Sequence, residues 1–204
     1  MRGSATAKPS DPRDPRDPRD PRVAAAFAVV PRARFLPPDQ RRFADVDRAL
    51  PIGYDVTNSQ PTTVRAMLAL LAPEPGERVL DVGCGSGWTT ALLAELVAPG
   101  GRVVGVERAP EVLAFGAANL ARTPRVEVHL AEEGVLGWPA GAPYDRILLS
   151  ADAERMPEAL VDQLIPTGTL VGPVRGRMVR VRRRAGAAPL VEEHGRYVFV
   201  PLVS

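Results

Sequence analysis

The sequence predicts an α/β fold: a Rossmann-like sheet with helices on both faces and an antiparallel C-terminal edge. From residue 73 to residue 164, short apolar runs typical of strands alternate with apolar stretches that have helical spacing. This alternation implies parallel strands covered by helices on both faces. A glycine-rich loop directly follows the first of these strands. The last three strand-like runs have no helix between them, which favours antiparallel pairing at the edge.

The predicted elements follow in chain order. We expect strands at residues 78–82, 102–107, 125–130, 144–151, 169–174, 178–184 and 196–203. We expect helices at residues 23–30, within 37–50, and at 61–71, 88–97, 110–121 and 156–164. The helices at 61 and 110 begin with proline, which is favoured in the first turn. Residues 51–63 are rich in turn and capping residues, and a long loop in a compact domain is often functional.

Residues 1–22 differ in composition from the rest of the chain. The triplet DPR occurs four times in succession between Asp11 and Arg22. Proline at every third position favours an extended, solvated chain, and the alternating charges offer nothing to bury. We predict a disordered tail, although so uniform a repeat also suits a binding motif. The predicted divisions are a tail at 1–22 and a folded domain at 23–204, made of an N-terminal helical cap at 23–72 and the core at 73–204.

The composition limits the possible settings and partners. The 204 residues suit one domain, and 45% of them are hydrophobic, which is enough to form a core. The net charge of +2 is close to balance, so we expect no nucleic-acid partner; we interpret the alternating Arg180, Arg182 and Arg184 as a solvated strand face. No run approaches the ~20 apolar residues of a membrane helix. The single cysteine, Cys84, excludes an intrachain disulfide, which favours a cytoplasmic protein with no membrane partner.

The glycine-rich loop indicates a ligand site. Residues 79–88 read VLDVGCGSGW, so an apolar strand leads through GCGSG at 83–87 into a helix. Such a loop lies at the carboxyl end of its strand, where open α/β sheets bind ligands. Glu107 ends the next strand, and an acidic residue at that place accepts hydrogen bonds from ribose hydroxyls.

Two nucleotide ligands compete for this loop. The dinucleotide fingerprint G-x-G-x-x-G/A needs a small last residue, but this chain has Trp88 there. The spacing G-x-G-x-G resembles motif I of class I methyltransferases instead. Asp81, next to the loop, would attract a cationic ligand. A tight turn without any ligand is the remaining interpretation.

Several segments resemble the protein-L-isoaspartate O-methyltransferase family. They are PIGYDVTNSQP at 51–61, GCGSGW at 83–88, EEGVLGW at 132–138, YDRILLSADAERMPEAL at 144–160 and FVPL at 199–202. The first segment is the specific one, because the glycine loop occurs across many methyltransferases. The match spans nearly everything after the tail, and it implies a class I methyltransferase fold.

The resemblance implies S-adenosyl-L-methionine as the cofactor, isoaspartyl-containing peptides or proteins as the substrate, and a monomer. Ser59 matches the family's active-site serine. Glu107 would hold the ribose, and Glu133 replaces an aspartate expected near the adenine. The predicted cofactor-binding residues are Asp81, Gly83, Cys84, Gly85, Ser86, Gly87, Trp88, Glu107, Arg108, Glu133 and Gly134.

The implied reaction is the attack of a carboxylate on the methyl carbon of a sulfonium. A carboxylate is already ionised at pH 7, so no general base is needed. The enzyme must instead align the reactants and remove water from the carboxylate. We expect the Ser59 hydroxyl to orient that carboxylate. From spacing alone, Ser59 is also typical of a cap for the helix that begins at Pro61.

Some residues depart from the family pattern near the expected substrate entrance: Asp55, Val56, Asn58, Asp152, Glu154 and Arg155. Acidic residues there would repel an anionic substrate unless they are paired, for example with Arg155. Repair of L-isoaspartyl residues is therefore the leading hypothesis, and methylation of one dedicated peptide or small molecule is the second. A non-catalytic adenosylmethionine-binding protein is a third. An NAD oxidoreductase is a fourth, disfavoured by Trp88.

Overall fold

The computed structural model describes residues 20–203. Its helices are α1 Pro21–Val29, α2 Pro61–Leu71, α3 Trp88–Leu96, α4 Pro110–Leu120 and α5 Glu158–Val161. Its strands are β1 Leu50–Gly53, β2 Val56–Asn58, β3 Arg78–Val82, β4 Arg102–Glu107, β5 Val126–Leu130, β6 Tyr144–Leu149, β7 Leu164–Val174, β8 Arg177–Arg184 and β9 Ala187–Arg196. No helix in the described part of the chain is long and apolar enough to span a membrane.

The main sheet has seven strands in the order β5-β4-β3-β6-β7-β8-β9. The first five of these are parallel, and β8 and β9 are antiparallel. The predicted α/β fold with an antiparallel C-terminal edge is confirmed. After β3, the chain first forms β4 and β5 on one side of β3, and later forms β6 on the other side. Ligands of open α/β sheets bind in the crevice at such a reversal, beyond the carboxyl ends of the strands.

Both faces of the central parallel strands β3, β4 and β6 are largely buried, and their residues alternate between two apolar clusters. Val79, Val103 and Leu148 join the cluster formed with α1, α2 and α3. Leu80 and Ile147 join the cluster on the opposite face. This alternation follows from the two-residue period of a strand. The second face is covered by α5, which is shorter than the predicted helix at 156–164, and by irregular segments.

The folded part begins before the boundary predicted at residue 23. The Asp20 carboxylate accepts a hydrogen bond from the Arg22 backbone at 2.8 Å, and Pro21 starts α1. Asp is a favoured N-cap and proline a favoured first residue, so the last DPR triplet makes a helix start. Arg22 then donates to the Pro73 carbonyl at 3.1 Å. The rest of the predicted tail, residues 1–19, lies outside the described residues.

The predicted helix within 37–50 is wrong apart from one short 3-10 turn, Arg41–Phe43. The carbonyls of Ala44, Val46 and Arg48 accept hydrogen bonds from the Arg32 guanidinium instead of from a helical backbone. A distant side chain therefore determines the path of this segment.

Two further expectations need correction. Residues 51–58, expected to lie in a loop, form most of the hairpin β1–β2, whose turn places Tyr54 and Asp55 at φ 54° and 56°. The predicted strand at 196–203 is wrong, because β9 ends at residue 196. The chain beyond β9 is extended beside Asp152, whose backbone bonds Val200 and Leu202. Alternating apolar residues favour an extended chain but do not say whether a partner strand is within reach.

Candidate functional site

A cavity of about 1210 Å³ opens beyond the carboxyl ends of β3, β4 and β6. Its wall includes the whole acceptor segment, defined here as residues 57–60, and residues 83–86 of the glycine loop. Segments 106–110, 131–133, 135–137 and 198–203 contribute much of the remaining wall. Ligand pockets are commonly about 300–1,000 Å³. The cavity is therefore large enough for a nucleotide-sized cofactor together with part of a second reactant.

The glycine loop, residues 83–87, is shaped by left-handed backbone conformations. Gly87 has φ 84°, and a Cβ there would lie 2.7 Å from Leu120. Gly85 has φ 54°, and a Cβ there would meet no atom nearer than 4.0 Å. The loop is thus tightly packed against α4 at Gly87 and open toward the cavity at Gly85. A ligand has direct access to the main chain at that point.

The Glu107 carboxylate is buried at the end of β4 and braces the loop. It accepts hydrogen bonds from the backbone of Gly85 at 3.0 Å, Arg108 at 2.7 Å and Ala109 at 3.1 Å. An ionised carboxylate has about four acceptor positions, so about one stays available to a ligand hydroxyl. The sequence predicted the ribose contact but missed this second role, which depends on the register of β3 and β4.

Asp81 is fully buried, and the cavity wall does not include it. One carboxylate oxygen accepts a hydrogen bond from the Thr90 hydroxyl at 2.7 Å. The other has no hydrogen-bond partner among the described residues. Burial, with a smaller contribution from Glu107, raises the pKa of Asp81 to about 7. The structure therefore does not support the expected direct contact between Asp81 and a cationic ligand. Gly87 and Gly134 also lie outside the cavity wall.

Trp88 and Cys84 line the cavity, as expected, but both are almost completely buried. The Trp88 indole donates to the Val30 carbonyl at 3.2 Å and makes an edge contact with Phe27, with 5.3 Å between ring centroids. Trp88 thus fastens the chain after α1 to the start of α3. Burial raises the pKa of the Cys84 thiol well above its usual value, so this thiol is neutral and a poor nucleophile. Arg108 and Glu133 also line the cavity.

Ser59 lies on the cavity wall, and its hydroxyl makes no hydrogen bond within residues 20–203. The N-cap position of α2 is Gln60, whose side chain does not cap. Asp47 caps the helix instead: its carboxylate accepts from the Thr62 backbone at 2.9 Å and from the Thr62 hydroxyl at 2.6 Å. These bonds lower the pKa of Asp47. The alternative interpretation of Ser59 as a helix cap is therefore wrong.

Residues 13–204 match the sequence model described as Protein-L-isoaspartate(D-aspartate) O-methyltransferase. This chain belongs to that family. Among its relatives, the protein-L-isoaspartate O-methyltransferase of Methanopyrus kandleri is 45% identical over 187 residues, covering 89% of this chain and 83% of the relative. The enzyme of the same name from Aeropyrum pernix is 47% identical over 193 residues, covering 85% and 74%. The resemblance seen in the sequence is confirmed.

Solved structures confirm the fold. A protein-L-isoaspartate O-methyltransferase superposes with a TM-score of 0.81 at 23% identity, covering 90% of this chain and 61% of that chain. A putative family member from Plasmodium falciparum, in complex with S-adenosyl-L-homocysteine, gives 0.77 at 22% identity and covers 89% of this chain and 90% of that one.

Hydrogen bonds from Arg32 hold the acceptor segment in place, a role that the sequence did not reveal. The buried guanidinium donates to the carbonyls of Asn58 at 3.1 Å and Ser59 at 2.9 Å, and to the Asn58 side chain at 2.7 Å. Burial lowers the pKa of Arg32 to about 10, while Asp47 acts in the opposite direction. Nothing in the local sequence marks this arginine, because its acceptors lie 12 to 27 residues further along the chain.

The residues that depart from the family pattern do not act together at the entrance. Asn58 is buried, and its amide donates to the Ser86 hydroxyl at 2.9 Å. Asp152 does not line the main cavity; its carboxylate accepts from the Gly176 backbone at 3.0 and 3.1 Å. Glu154 is exposed. Of the residues that depart from the family pattern, only Asp55, exposed at the tip of the β1–β2 hairpin, brings an acidic group to the rim of the cavity.

Proposed function

We propose that this protein transfers the methyl group of S-adenosyl-L-methionine to the α-carboxylate of L-isoaspartyl residues in damaged proteins. The esters formed then collapse to succinimides, which allows repair. The observation that carries the proposal is the Ser59 hydroxyl, which has no hydrogen-bond partner among residues 20–203 and shares one cavity with the glycine loop and Glu107. Family membership supports the same reaction.

The residues present fit the cofactor. The open side of Gly85 and the remaining acceptor position of Glu107 suit a main-chain contact and a ribose hydroxyl. The other predicted cofactor-binding residues that line the cavity are Gly83, Cys84, Ser86, Trp88, Arg108 and Glu133. When bound, S-adenosyl-L-methionine supplies an electrophilic methyl group on a positively charged sulfonium. Among the described residues, the cavity wall carries the acidic Asp55, Glu107, Glu132 and Glu133 against one basic residue, Arg108. This excess of negative charge favours a cationic cofactor.

The protein's part in the reaction is alignment. The acceptor carboxylate is already ionised at pH 7 and needs no base. In agreement, the cavity wall contains no histidine among the described residues, and its one cysteine is a neutral thiol. Ser59 donates a hydrogen bond to the acceptor carboxylate and orients it toward the methyl carbon. Arg32 fixes the Ser59 backbone, so the hydroxyl starts from a defined position. Such orientation is worth orders of magnitude in rate.

Discrimination between acceptors follows from the same alignment. In an isoaspartyl linkage the main chain runs through the side-chain carbonyl, which leaves a free α-carboxylate one methylene nearer the backbone. A site that aligns this carboxylate holds an ordinary aspartyl side chain out of line. Misplacement by ~1 Å costs about 100-fold in rate.

A paired peptide assay tests the proposal. Purified protein and radiolabelled cofactor are incubated with isoaspartyl peptides and with their aspartyl counterparts of the same sequence. We expect methyl ester to form only on the isoaspartyl member of each pair. Transfer to neither member by protein that binds S-adenosyl-L-homocysteine would exclude the repair function. Methylation of one dedicated carboxylate would then take its place, an alternative favoured by the acidic Asp55 at the rim.

We further propose that the protein works as a monomer in the cytoplasm without a nucleic-acid partner. The only cysteine is buried. Two of the three alternating arginines of β8 lie beside one acidic side chain: Arg180 donates to Glu192 at 2.8 Å, and Arg182 lies 3.6 Å from it. Arg180 is buried, so the expected solvated strand face is wrong at that position. The pairing with Glu192 weakens any positive surface field along the strand. Sedimentation of the purified chain, with and without a DNA oligonucleotide, tests both the monomer and the missing partner.

A further inference from the structure

One buried side chain connects the acceptor segment to the glycine loop. The Asn58 amide nitrogen donates to the Ser86 hydroxyl at 2.9 Å, and its amide oxygen accepts from the Arg32 guanidinium at 2.7 Å. Asn58 is 3% exposed and Ser86 is 4% exposed. The Arg32–Asn58–Ser86 chain of hydrogen bonds is therefore shielded from water, where each bond contributes more to rigidity than at the surface.

Both ends of this chain are anchored. Arg32 also holds the carbonyls of Asn58 and Ser59, so the acceptor segment cannot shift without breaking buried bonds. At the other end, the Asn119 amide donates to the Ser86 carbonyl at 3.0 Å, which fixes the glycine loop to α4. The separation between the Ser59 hydroxyl and the loop is thus set through the Asn58 side chain.

We propose that Asn58 is a positioning residue that couples the glycine loop to the acceptor segment, so that a cofactor bound at the loop orders the segment that aligns the acceptor. The proposal rests on the function proposed above. Asn58 does not touch the reacting atoms in this scheme; it acts through Ser59 on one side and Ser86 on the other.

Four variants separate coupling from packing. Asn58→Leu keeps a similar volume but removes both bonds. Asn58→Asp keeps both contacts, because a carboxylate accepts from Arg32 and from the Ser86 hydroxyl. Ser86→Ala removes only the loop end of the chain of bonds and leaves the bond from Arg32 to Asn58. Arg146→Met is the matched control: it breaks a largely buried ion pair with Glu77 at 2.8 Å, near the amino end of β6 and away from the cavity.

Kinetics give the first measurement. We expect Asn58→Leu and Ser86→Ala to lower kcat about 10- to 100-fold, the cost of misalignment by up to ~1 Å. The double variant should lose no more than either single variant, because one chain of bonds is broken in each case. Asn58→Asp should retain most of kcat. Arg146→Met should lower Tm without changing kcat.

Hydrogen exchange gives a second measurement that needs no turnover. In the unaltered protein, S-adenosyl-L-homocysteine should slow amide exchange at residues 57–60 as well as in the glycine loop. In Asn58→Leu and Ser86→Ala, it should slow exchange in the loop only. If the acceptor segment is protected equally in all variants, or if folded Asn58→Leu keeps its kcat, the coupling is overturned. An unaltered protein that methylates no isoaspartyl peptide but transmits protection to residues 57–60 would overturn the proposed function and leave the coupling intact.

Discussion

The two sides of the cavity are built differently. On the cofactor side, the glycine loop connects β3 to α3, and Glu107 reaches it because β3 and β4 are adjacent parallel strands in register. On the acceptor side, residues 31–60 contain little regular structure beyond one short hairpin and two 3-10 turns. One buried guanidinium holds that side together through six hydrogen bonds.

This difference predicts how substitutions on each side affect ligand binding and folding. A side built on a parallel sheet is supported by many backbone bonds and two apolar clusters, so single side chains contribute to ligand binding more than to folding. A side held by one cation depends on that cation, because five carbonyls and one amide oxygen lose their donor with it. Five predictions test this contrast.

The largest effect is expected at Arg32. Arg32→Met should lower the free energy of unfolding by ~3–5 kcal/mol, because it leaves buried acceptors without a donor. Arg32→Lys should lower the free energy of unfolding nearly as much, since an ammonium lacks the planar fork of donors. Urea denaturation measures both. Arg34→Met, a change at an exposed arginine two residues away, is the control. If substitution of Arg32 lowered the free energy of unfolding no more than substitution of Arg34, Arg32 would not be what holds the acceptor side together.

Glu107 should contribute mainly to cofactor binding. Glu107→Ala should weaken affinity for S-adenosyl-L-homocysteine by ~1.5–3 kcal/mol, the range for hydrogen bonds to a charged group. Glu107→Gln should lose less, because one acceptor oxygen still braces the loop backbone. Isothermal titration calorimetry of the folded variants gives these values. Unchanged affinity would mean that Glu107 is only a brace.

Asp81 gives the cofactor side a dependence on pH. Its pKa is about 7 in the folded protein and near 3.8 in a model peptide, so the folded state binds the proton more tightly. The resulting stabilisation of the folded state is complete at pH values below 3.8 and is lost as the pH rises through 7. Asp81→Asn keeps an acceptor for Thr90 and does not undergo this loss. It should therefore be more stable than the unaltered protein by up to ~4 kcal/mol at about pH 8 but by only ~1 kcal/mol at about pH 4.5, because one pKa unit corresponds to about 1.36 kcal/mol. Thermal unfolding at both pH values measures this. An equal difference at both would show that Asp81 does not titrate in this window.

Ser59 should affect turnover and spare the cofactor. Ser59→Ala removes one hydrogen bond to a charged acceptor, worth about 1.5 kcal/mol, and should reduce kcat/KM by ~10-fold. Affinity for S-adenosyl-L-homocysteine should stay unchanged, because the hydroxyl serves the acceptor. Comparing radiolabel transfer with calorimetry separates the two quantities. A loss of cofactor affinity would place Ser59 on the cofactor side.

The smallest effect distinguishes two truncations. Removing residues 1–19 should leave Tm and methyl transfer unchanged, since repeated DPR triplets offer nothing to bury. Removing residues 1–22 also deletes Asp20 and Arg22 and should cost about 1 kcal/mol, the usual value of a helix N-cap. Thermal unfolding of the two truncations decides it. A large loss with the shorter deletion would mean that the tail contributes to folding.

The cofactor side was largely predictable from the sequence alone. The alternation of strands and helices, the glycines at 83–87 and the position of Glu107 at the end of a strand are local patterns with a direct physical meaning. They determined the fold class, the place of the cavity and the ligand class. The segment PIGYDVTNSQP likewise identified the family and Ser59, whose role stays a prediction.

Only the tertiary structure decided how the acceptor side is held. Arg32, Asn58 and Ser86 are separated by 26 and 28 positions, and no local period or spacing connects them. The same holds for Asp47, which takes the capping role that spacing had suggested for Ser59, and for Asp152, which turns away from the cavity to bind Gly176. Backbone periodicity is written into neighbouring residues, whereas the partner of a buried polar side chain depends on which distant segments the completed fold brings within about 3 Å.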